Sequence, residues 1–397
     1  MKIAYLCPNY QDQRGGAEVM TYHLAEELTK RGHQVDIYAA QTSDRAVASN
    51  VRLFKRWKWV EQIAKWILGL ERKRGFYRAV QVIRRDGRIP LLAHGPYCPA
   101  IRRSKTYSLY DVVFLVGFYS VWVWLLPRRL RPCLLVGIPL FHVHEETATR
   151  RVHNRFHRKF DRIVTLTDFE KSYLLGRGWD GNKIETIGVG SESSCPPVSG
   201  LEFRKRFGVE SSAPLVLLLG RKIFNKGIVH LIQAMDIVWD TFPAARLALV
   251  GFSCNSAEWL RGHLAKCSHD ANSRVINLDN ASEADREGAL AACDLMALPS
   301  ISDSFGIAYL DAWRHKKPVI GCLRTSSESV IDAGRDGLLV EFGDVGALAA
   351  DIGRLIGDKL LREQMGRAGY DKWNSQFRWE VIAERTEMLL WSWRSER

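Results

Sequence analysis

The chain opens with KIAYLCPNYQDQRGGAEVMTYHLAEELTKRGHQVDIYAA, residues 2–40, and this stretch decides the fold class. KIAYLCPNY is an apolar run that predicts a buried strand, and a glycine-containing loop follows it. Met20, Leu24 and Leu28 then recur at helical spacing, and basic residues followed by Gly32 predict the end of that helix. QVDIYAA predicts a second strand, so the opening is a βαβ unit of a doubly wound α/β domain.

The same alternation of apolar runs and helical segments continues along the chain. A stretch rich in Ser, Pro and Gly, residues 191–200, predicts a linker, after which the pattern restarts. A chain of 397 residues also exceeds what one hydrophobic core usually serves. We therefore expect two α/β domains, residues 1–195 and 196–377. The other predicted strands are DVVFLVG (111–117), CLLVGIPLFH (133–142), DRIVTLT (161–167), PLVLLLGR, RLALVGF, RVINLDN, ACDLMALPS and KPVIGC.

The cysteine pattern and the lengths of the apolar segments limit which cellular compartment and membrane topology we expect. The eight cysteines are scattered without a CxxC pair, which argues against a zinc site or a disulfide framework and suits a reducing cytoplasm. The start of the chain reads as a strand rather than as a signal peptide. The longest uncharged apolar stretch, residues 112–126, has 15 residues, whereas a transmembrane helix needs about 20. We expect a cytoplasmic protein that does not span the membrane.

The positive charge is concentrated in one part of the chain. Residues 51–110 hold 15 Lys and Arg but 3 Asp and Glu, interleaved with Trp57, Trp59, Trp66 and Phe76. Basic helices with tryptophans bind the interface of anionic membranes, so residues 51–90 are a candidate membrane surface at the cytoplasmic face. The alternative is a solvated helical face whose aromatic residues lie in the core. Nucleic acid is not expected as a partner, because no nucleic-acid motif accompanies the charge.

Two cations follow a predicted buried strand in GRKIFNKG. Arg221 and Lys226 come where ligands bind in open parallel sheets, at the carboxyl end of a strand. Two cations near a helix N-terminus suit a diphosphate. The alternative is a solvated loop.

Two carboxylates eight positions apart, Asp303 and Asp311, stand in SDSFGIAYLDAW (302–313). The carboxyl groups of a glycosidase pair lie about 5 to 9.5 Å apart, and eight helical residues rise about 12 Å, which argues against that chemistry. Ser304, Phe305 and Gly306 would instead offer backbone N–H groups to phosphate, and each carboxylate would accept hydrogen bonds from sugar or ribose hydroxyls. The alternative is an N-cap Asp and a surface Asp.

The order of these motifs resembles a known family. GRKIFNKG, RVINLDNASEADREGALAACDLMALPSISDSFGIAYLDAWRHKKPVIG and SESVIDAGRDGLLVEFGD, with RGGAE and IVTLTDFEKSYLLGRGWDGNKIETIGVG before them, are similar to the retaining glycosyltransferases of family 4. The resemblance implies the GT-B fold, in which two Rossmann-like domains face each other across a cleft. It assigns the acceptor to residues 1–195 and the nucleotide-sugar donor to residues 196–377, and it implies that a C-terminal helix, residues 378–397, crosses back to the first domain.

The resemblance also implies roles for the second-half residues. Asp303 and Asp311 match the E-x7-E motif, whose first carboxylate contacts the transferred sugar and whose second binds the ribose; both are Asp here, one methylene shorter than the usual Glu. Arg221 and Lys226 match the pair that neutralises the donor diphosphate. The region from Ile276 to Asp279 would hold the base, mostly through backbone groups.

Further matches complete the implied site. Glu328 sits where the family's GGxxE segment ends, although RTSSE lacks those glycines. Gly15 and Gly16 match a loop that lets the backbone approach the donor phosphate and the acceptor. A family histidine near the reacting sugar is matched by His142 or His144 of IPLFHVHEE, which would alternate across a strand so that only one faces the cleft.

The function implied is transfer of a sugar, with retained configuration, from a nucleotide diphosphate sugar to a hydroxyl acceptor. The resemblance implies front-face attack without an enzyme nucleophile, a divalent metal or another cofactor. A lipid-linked or envelope glycan would be the acceptor if the basic segment binds membranes, which would place the enzyme in polysaccharide biosynthesis. The alternatives are an epimerase or phosphorylase on the same fold, or a non-catalytic nucleotide- or partner-binding relative, which the two Asp residues and the missing glycines leave open.

Overall fold

The chain folds into two compact units, each built around a parallel sheet. Our computed structural model describes residues 1–10, 15–41, 48–69, 96–102, 106–118, 120, 122–126, 133–144, 157–192, 195–252 and 257–396. Unit 1 comprises Met1–Val189 and Trp379–Arg397, and unit 2 comprises Gly190–Arg378. Among the described helices, none is both long enough and apolar enough to cross a bilayer.

Unit 1 contains a seven-stranded sheet with the order β3-β2-β1-β4-β5-β6-β7, and every pairing is parallel. The central strands are buried apolar runs, as expected for a sheet covered on both faces. The strands are β1 Lys2–Leu6, β2 Gln34–Ala40, β3 Val51–Phe54, β4 Val112–Val116, β5 Leu134–Ile138, β6 Arg162–Thr165 and β7 Ile184–Thr186; the helices are α1 Gly16–Lys30, α2 Lys58–Gly69, α3 Trp122–Leu125 and α4 Asp168–Leu175.

Unit 2 repeats the pattern with a six-stranded parallel sheet, ordered β10-β9-β8-β11-β12-β13. Its strands are β8 Leu215–Leu219, β9 Arg246–Gly251, β10 Val275–Asp279, β11 Leu295–Ala297, β12 Val319–Cys322 and β13 Gly337–Val340. Its helices are α5 Gly200–Arg206, α6 Ile228–Thr241, α7 Ala257–Leu264, α8 Ala271–Arg274, α9 Glu283–Ala292, α10 Ile307–Arg314, α11 Val345–Gly357 and α12 Lys359–Gln376. The predicted α/β class with two doubly wound sheets is confirmed.

The last helix, α13 Trp379–Ser395, belongs to unit 1 although it follows unit 2 in the chain. It packs on α1, where the Trp379 ring stacks on His23 at 5.1 Å between centroids. Glu387 accepts hydrogen bonds from Arg31 at 2.7 Å and pairs with His33 at 2.9 Å. The return of the C-terminal helix to the first unit is therefore as predicted.

The boundary between the units falls at residues 189 and 190 and again at 378 and 379, whereas the sequence placed these boundaries at 195/196 and 377/378. Ser191 explains the first difference. Its N–H donates to the carbonyl of Phe377 at 3.0 Å, and its own carbonyl accepts from the Trp373 indole at 3.0 Å. These hydrogen bonds attach the start of the predicted linker to unit 2.

Candidate functional site

Three loops of unit 2 come together at the carboxyl ends of its central strands. The strand order reverses between β8 and β11, because β9 and β10 lie on one side of that pair and β12 and β13 on the other. A crevice at such a topological switch point is where open parallel sheets bind their ligands. The loops after β8, β11 and β12 therefore define the candidate site.

The loop after β8 is shaped by a short 3-10 turn, Phe224–Lys226, and by Gly227. Gly227 has φ 72° and caps the start of α6. A Cβ atom at this position would collide with the carbonyl of Pro299, which lies in the loop after β11. Glycine is required here both for the left-handed backbone and for the close approach of the two loops.

Hydrogen bonds join the same two loops. The carbonyl of Asn225 accepts from the N–H of Ile301 at 3.0 Å and from the Ser300 hydroxyl at 3.2 Å. Residues that follow β11 are thereby held beside the turn that carries Lys226.

The paired charges Lys226 and Asp303 lie at this junction. The Lys226 ammonium forms an ion pair with the Asp303 carboxylate and donates to the carbonyl of Ser302 at 3.1 Å. The two side chains are 8% and 14% exposed, so the pair is largely removed from water. The other predicted cation, Arg221, is exposed at the end of β8. Both cations and the first carboxylate thus occupy one edge of one sheet.

The helix that carries Asp311, α10, begins after Gly306. Gly306 is the N-cap residue with φ 94°, and a Cβ there would collide with the Tyr309 ring. The Tyr309 hydroxyl donates to the carbonyl of Leu298, which binds the helix to the end of β11. Ser304 is half-buried, and Phe305 is buried against Phe377. The predicted phosphate-binding loop is therefore packed against unit 2 where α10 begins.

Asp311 itself is buried and already has partners. Its Oδ1 accepts from the Ser191 hydroxyl, and its Oδ2 accepts from Arg286 at 3.3 Å. Arg314, one turn along the helix, brings a second guanidinium within 4.0 Å. If Asp311 binds the ribose as predicted, its carboxylate oxygens must accept from the ribose as well as from Ser191 and Arg286.

Glu328 is exposed on the 3-10 turn Ser326–Ser329, which follows β12. Arg324 and Thr325 stand where the resemblance led us to expect two glycines, and hydroxyl groups hold the turn in place. Thr325 donates to the carbonyl of Cys322 at 2.7 Å and accepts from the N–H of Ser327, while Ser326 donates to the carbonyl of Asp303 at 2.9 Å. This third loop is thus bonded to the residue that pairs with Lys226.

Gly15 and Gly16 lie in unit 1, at the start of α1. Gly15 is the N-cap residue in extended conformation, and its carbonyl accepts from the N–H of Val19 at 3.1 Å. A side chain at Gly15 would collide with the Glu18 carboxylate, so the glycine permits a buried acidic group in the first turn. The sheet order reverses between β1 and β4, so this helix N-terminus lies at the switch point of unit 1.

The prediction that His142 and His144 alternate across a strand is wrong. Strand β5 ends at Ile138, and the chain leaves it through Leu140, which has a left-handed backbone with φ 55°. His142 follows in irregular backbone and is half-buried, whereas His144 is exposed in a turn. A left-handed residue turns the chain out of the sheet, so the period of two that the prediction assumed ends before the histidines.

Glu170 was not predicted as part of any site, yet it holds the histidine loop. Its buried carboxylate accepts from the N–H of Phe141 at 2.8 Å and from the N–H of Leu166 at 3.1 Å. The sequence contained a signal, because Thr167 and Glu170 have the spacing of a capping box. Thr167 does cap the helix, but the Glu170 side chain bonds the loop after β5. Ser191, Arg286 and Lys222 were also missed, since each acts through residues distant in sequence.

The buried Glu170 predicts a pH dependence of stability. Burial raises the pKa of Glu170 from 4.5 to about 7, against the opposing effect of its backbone hydrogen bonds. A raised carboxyl pKa means that the folded chain binds more protons than the unfolded chain between these values, so this contribution to stability is complete below pH 4.5 and is lost as the pH rises through 7. The loss amounts to about 3 kcal/mol.

We expect urea unfolding at pH 5 and pH 8 to show most of this loss in the wild type and to show a smaller pH difference in Glu170→Gln. Glutamine cannot ionise. Its NH₂ group would face one of the two backbone N–H donors without accepting from it, which lowers stability at both pH values. Glu185→Gln, at an exposed position in the same unit, is the matched control. Equal pH dependence of wild type and Glu170→Gln would contradict the prediction.

Two family models match the chain, one in each unit. The model described as Glycosyltransferase Family 4 matches residues 14–191, and the model described as Glycosyl transferases group 1 matches residues 201–372. Together they account for most of the chain.

Similar proteins agree with these matches. The GDP-mannose-dependent monoacylated alpha-(1-6)-phosphatidylinositol monomannoside mannosyltransferase of Corynebacterium glutamicum is 30% identical over 197 residues, 48% of this chain and 50% of that protein. The phosphatidyl-myo-inositol mannosyltransferase of Mycobacterium leprae is 25% identical over 96% of this chain and 94% of its own. The crystal structure of Anabaena Alr3699/HepE in complex with UDP-glucose has a TM-score of 0.74 at 18% identity, covering 99% of this chain and all of that one, and shows a shared fold.

Proposed function

Because the chain belongs to the family 4 glycosyltransferases, group 1, we propose that it transfers a sugar from a nucleoside diphosphate sugar to a hydroxyl acceptor with retention of anomeric configuration. The protein is a glycosyltransferase of the hexosyltransferase class with the GT-B fold. The observation that carries the proposal is the buried Lys226–Asp303 pair at the switch point of unit 2.

The cations of unit 2 are suited to a diphosphate leaving group. An ammonium has three N–H donors, and Lys226 directs one to the carbonyl of Ser302 and one to Asp303. We assign the third to a phosphate oxygen of the donor. Arg221 is exposed nearby and adds a planar, two-pronged donor. Fixed cations stabilise the charge that develops as the diphosphate departs, so the proposed reaction proceeds without a divalent metal.

The other predicted residues take roles around the same donor. Asp303 accepts hydrogen bonds from hydroxyls of the transferred sugar, and Asp311 accepts from the ribose. In this proposal the backbone of Ser304, Phe305 and Gly306 contacts phosphate, and Glu328 contacts the donor from the loop after β12. Gly15 and Gly16 let the unit 1 backbone approach the donor phosphate and the acceptor. His142 or His144 contacts the reacting sugar.

The proposed chemistry keeps the anomeric configuration because attack and departure occur on the same face of the sugar. The acceptor oxygen bonds to the anomeric carbon as the bond from that carbon to the diphosphate oxygen breaks. The acceptor proton passes to the departing phosphate, so atoms and charge balance without an enzyme nucleophile. Stabilising the leaving group is then the main task of the protein, which is the task that Lys226 and Arg221 are placed to perform.

A donor screen tests the proposal. We expect the protein to bind at least one of UDP-, GDP- and ADP-sugars in a thermal-shift assay, to release the nucleoside diphosphate when an acceptor is present, and to retain activity in EDTA. Turnover to an isomerised nucleotide sugar would indicate an epimerase, and phosphate-dependent turnover a phosphorylase. Binding without any turnover would indicate a non-catalytic relative, and an absence of binding would refute the proposal.

We further propose that the acceptor is lipid-linked or an envelope glycan, and that the protein acts at the cytoplasmic face of a membrane. The two relatives named above are, by name, mannosyltransferases of phosphatidylinositol-type acceptors, which supports the lipid-linked acceptor. The scattered cysteines support the compartment.

The described end of α2 supports the membrane contact. Trp57 and Trp59 stack with their ring centroids 6.0 Å apart and are 41% and 58% exposed, and Ile63 is exposed one turn along. Lys55 and Lys58 are exposed beside them. The helix start is anchored by Glu61, which pairs with Arg56 and accepts from the N–H of Tyr97 at 2.9 Å. The side chain of Trp66 and all of Phe76 lie outside the described residues.

Exposed tryptophans and lysines at the anchored start of a helix predict binding to anionic membranes. In flotation assays with phosphatidylglycerol vesicles, we expect Trp57→Ala/Trp59→Ala to bind about tenfold more weakly than the wild type. Neutral vesicles and high salt should reduce wild-type binding as well, because the charge attraction is lost. Trp391→Ala, which removes another exposed tryptophan of unit 1, is the control. Failure of the wild type to float at low salt, or an equal loss with the control, would contradict the prediction.

A further inference from the structure

The turn after β12 carries three consecutive hydroxyl residues, Thr325, Ser326 and Ser327, and all three are buried. The Thr325 hydroxyl bonds within the turn, since it donates to the carbonyl of Cys322 at 2.7 Å. The Ser327 hydroxyl lies 3.0 Å from that of Tyr309. Tyr309 gives its one O–H to the carbonyl of the residue after β11, so Ser327 is the donor of this pair. Two of the three hydroxyls therefore hold the turn to itself and to α10.

Ser326 has a different partner, the loop after β11. Its hydroxyl donates to the main-chain carbonyl of Asp303 at 2.9 Å. The preceding peptide is held as well, because the Lys226 ammonium donates to the carbonyl of Ser302 at 3.1 Å. The two peptide planes that flank Asp303 are thus each bonded to a side chain from another loop. Because φ and ψ are the soft dihedrals of the backbone, these two contacts together fix the main chain of Asp303.

The position of the Asp303 carboxylate depends closely on that main chain. A single methylene joins the carboxylate to Cα, so the side chain can do little to correct a rotation of the backbone. The ion pair with Lys226 limits the carboxylate less, because a lysine side chain is long and flexible. Groups that contact reacting atoms must be held within about 0.5 Å, and a misplacement of about 1 Å can lower a rate about 100-fold.

We propose that Ser326 is a positioning residue, which holds the main chain of Asp303 so that the carboxylate meets the transferred sugar. The inference rests on the proposed function, in which Asp303 contacts that sugar. Ser326 acts through the Asp303 carbonyl and does not itself contact the donor. Its loss should therefore affect the step in which the sugar reacts and leave the binding of the nucleotide unchanged.

Ser326→Ala and Ser327→Ala form a matched pair, because each removes one buried hydroxyl from the same turn. The full-length chain is assayed with the UDP-, GDP- or ADP-sugar that gives turnover in the donor screen. We expect kcat to fall about tenfold in Ser326→Ala, with KM for the donor nearly unchanged, and to fall less than about twofold in Ser327→Ala. Both variants should lower the melting temperature by similar amounts, since each loses one buried hydrogen bond.

The nucleoside diphosphate of the same donor provides a second readout. It lacks the transferred sugar, so its affinity in calorimetric titrations should stay near that of the wild type in both variants. Weaker binding of the nucleoside diphosphate by Ser326→Ala, equal to the loss in kcat, would show that the effect does not pass through Asp303 and would overturn the inference.

Ser326→Cys separates hydrogen bonding from packing. The thiol has nearly the size of the hydroxyl but is a weak donor, so kcat should stay close to that of Ser326→Ala. A wild-type kcat in Ser326→Cys would mean that the side chain only fills space, and would contradict the proposed role.

Two further results would also overturn the inference. One is an unchanged kcat in Ser326→Ala. The other is an equal loss of kcat in Ser327→Ala, because the effect would then belong to the turn as a whole. If the wild type turns over no nucleotide sugar, the proposed function itself fails, which is a distinct result.

Discussion

Replacing Lys226 with alanine is expected to lower kcat/KM for sugar transfer by about 100-fold or more and to destabilise unit 2 by about 3 kcal/mol. The ammonium is buried, and it is the cation that we assign to the departing diphosphate. Its loss removes transition-state stabilisation and also leaves the Asp303 carboxylate in a largely buried position without this opposite charge. Both effects therefore follow from the loss of one ammonium group.

A double-mutant cycle with Asp303→Asn separates the two effects. In Lys226→Ala/Asp303→Asn the buried charge is gone, so the free energy of unfolding should recover part of the loss seen in Lys226→Ala, while kcat/KM stays low. Urea unfolding and steady-state transfer assays supply the two readouts, and Lys205→Ala at an exposed position of α5 is the control. Unchanged turnover in Lys226→Ala would remove the residue from the site.

Replacing Asp311 with alanine is expected to destabilise the protein by about 2 to 4 kcal/mol and to weaken nucleoside diphosphate binding by about tenfold or more. The carboxylate accepts from Ser191 and Arg286 with little exposure to water. Its removal leaves the Arg286 guanidinium without this counter-charge and removes one of the hydrogen bonds that hold the segment that begins unit 2. The lost acceptor for the ribose hydroxyls accounts for the weaker binding of the nucleotide.

Inorganic diphosphate distinguishes a ribose contact from a general loss of structure. If Asp311 binds ribose, Asp311→Asn should weaken GDP and UDP but leave the affinity for inorganic diphosphate near that of the wild type. Ser191→Ala removes a partner of Asp311 while keeping the carboxylate, so it should cost about 1 kcal/mol of stability and preserve nucleotide affinity. Equal nucleotide binding by wild type and Asp311→Asn would reduce the role of Asp311 to structure.

Much of the fold was predictable because local patterns carry it. Strands such as Leu215–Leu219 are short apolar runs, which is the sequence pattern expected of parallel strands that are covered on both faces. Gly227 and Gly306 have the left-handed backbone that glycine adopts most readily, although the sequence analysis did not predict it. The prediction failed at His142 and His144, where the left-handed Leu140 ends the strand before the apolar pattern does.

The candidate site was predictable in part. Arg221, Lys226, Asp303 and Asp311 were singled out from motif order, and the structure places all four in unit 2. Their individual contacts were not foreseen: Lys226 pairs with Asp303, 77 positions away, and Asp311 with Ser191, 120 positions away. Glu170 and Lys222 were missed because their partners are distant in sequence: Glu170 bonds the loop after β5, and Lys222 bonds β10.

The sequence by itself determined the α/β class, the repeat of the doubly wound pattern, the return of the last helix and the family, since each depends on residues near in sequence or on motifs in a fixed order. Only the tertiary structure decided which charges are buried and which residues they pair with. The physical reason is that strand order brings the ends of β8, β11 and β12 together. The local sequence pattern between those strands does not predict that their ends are in contact. Burial then sets the energy of each pair, and burial is a property of the folded chain.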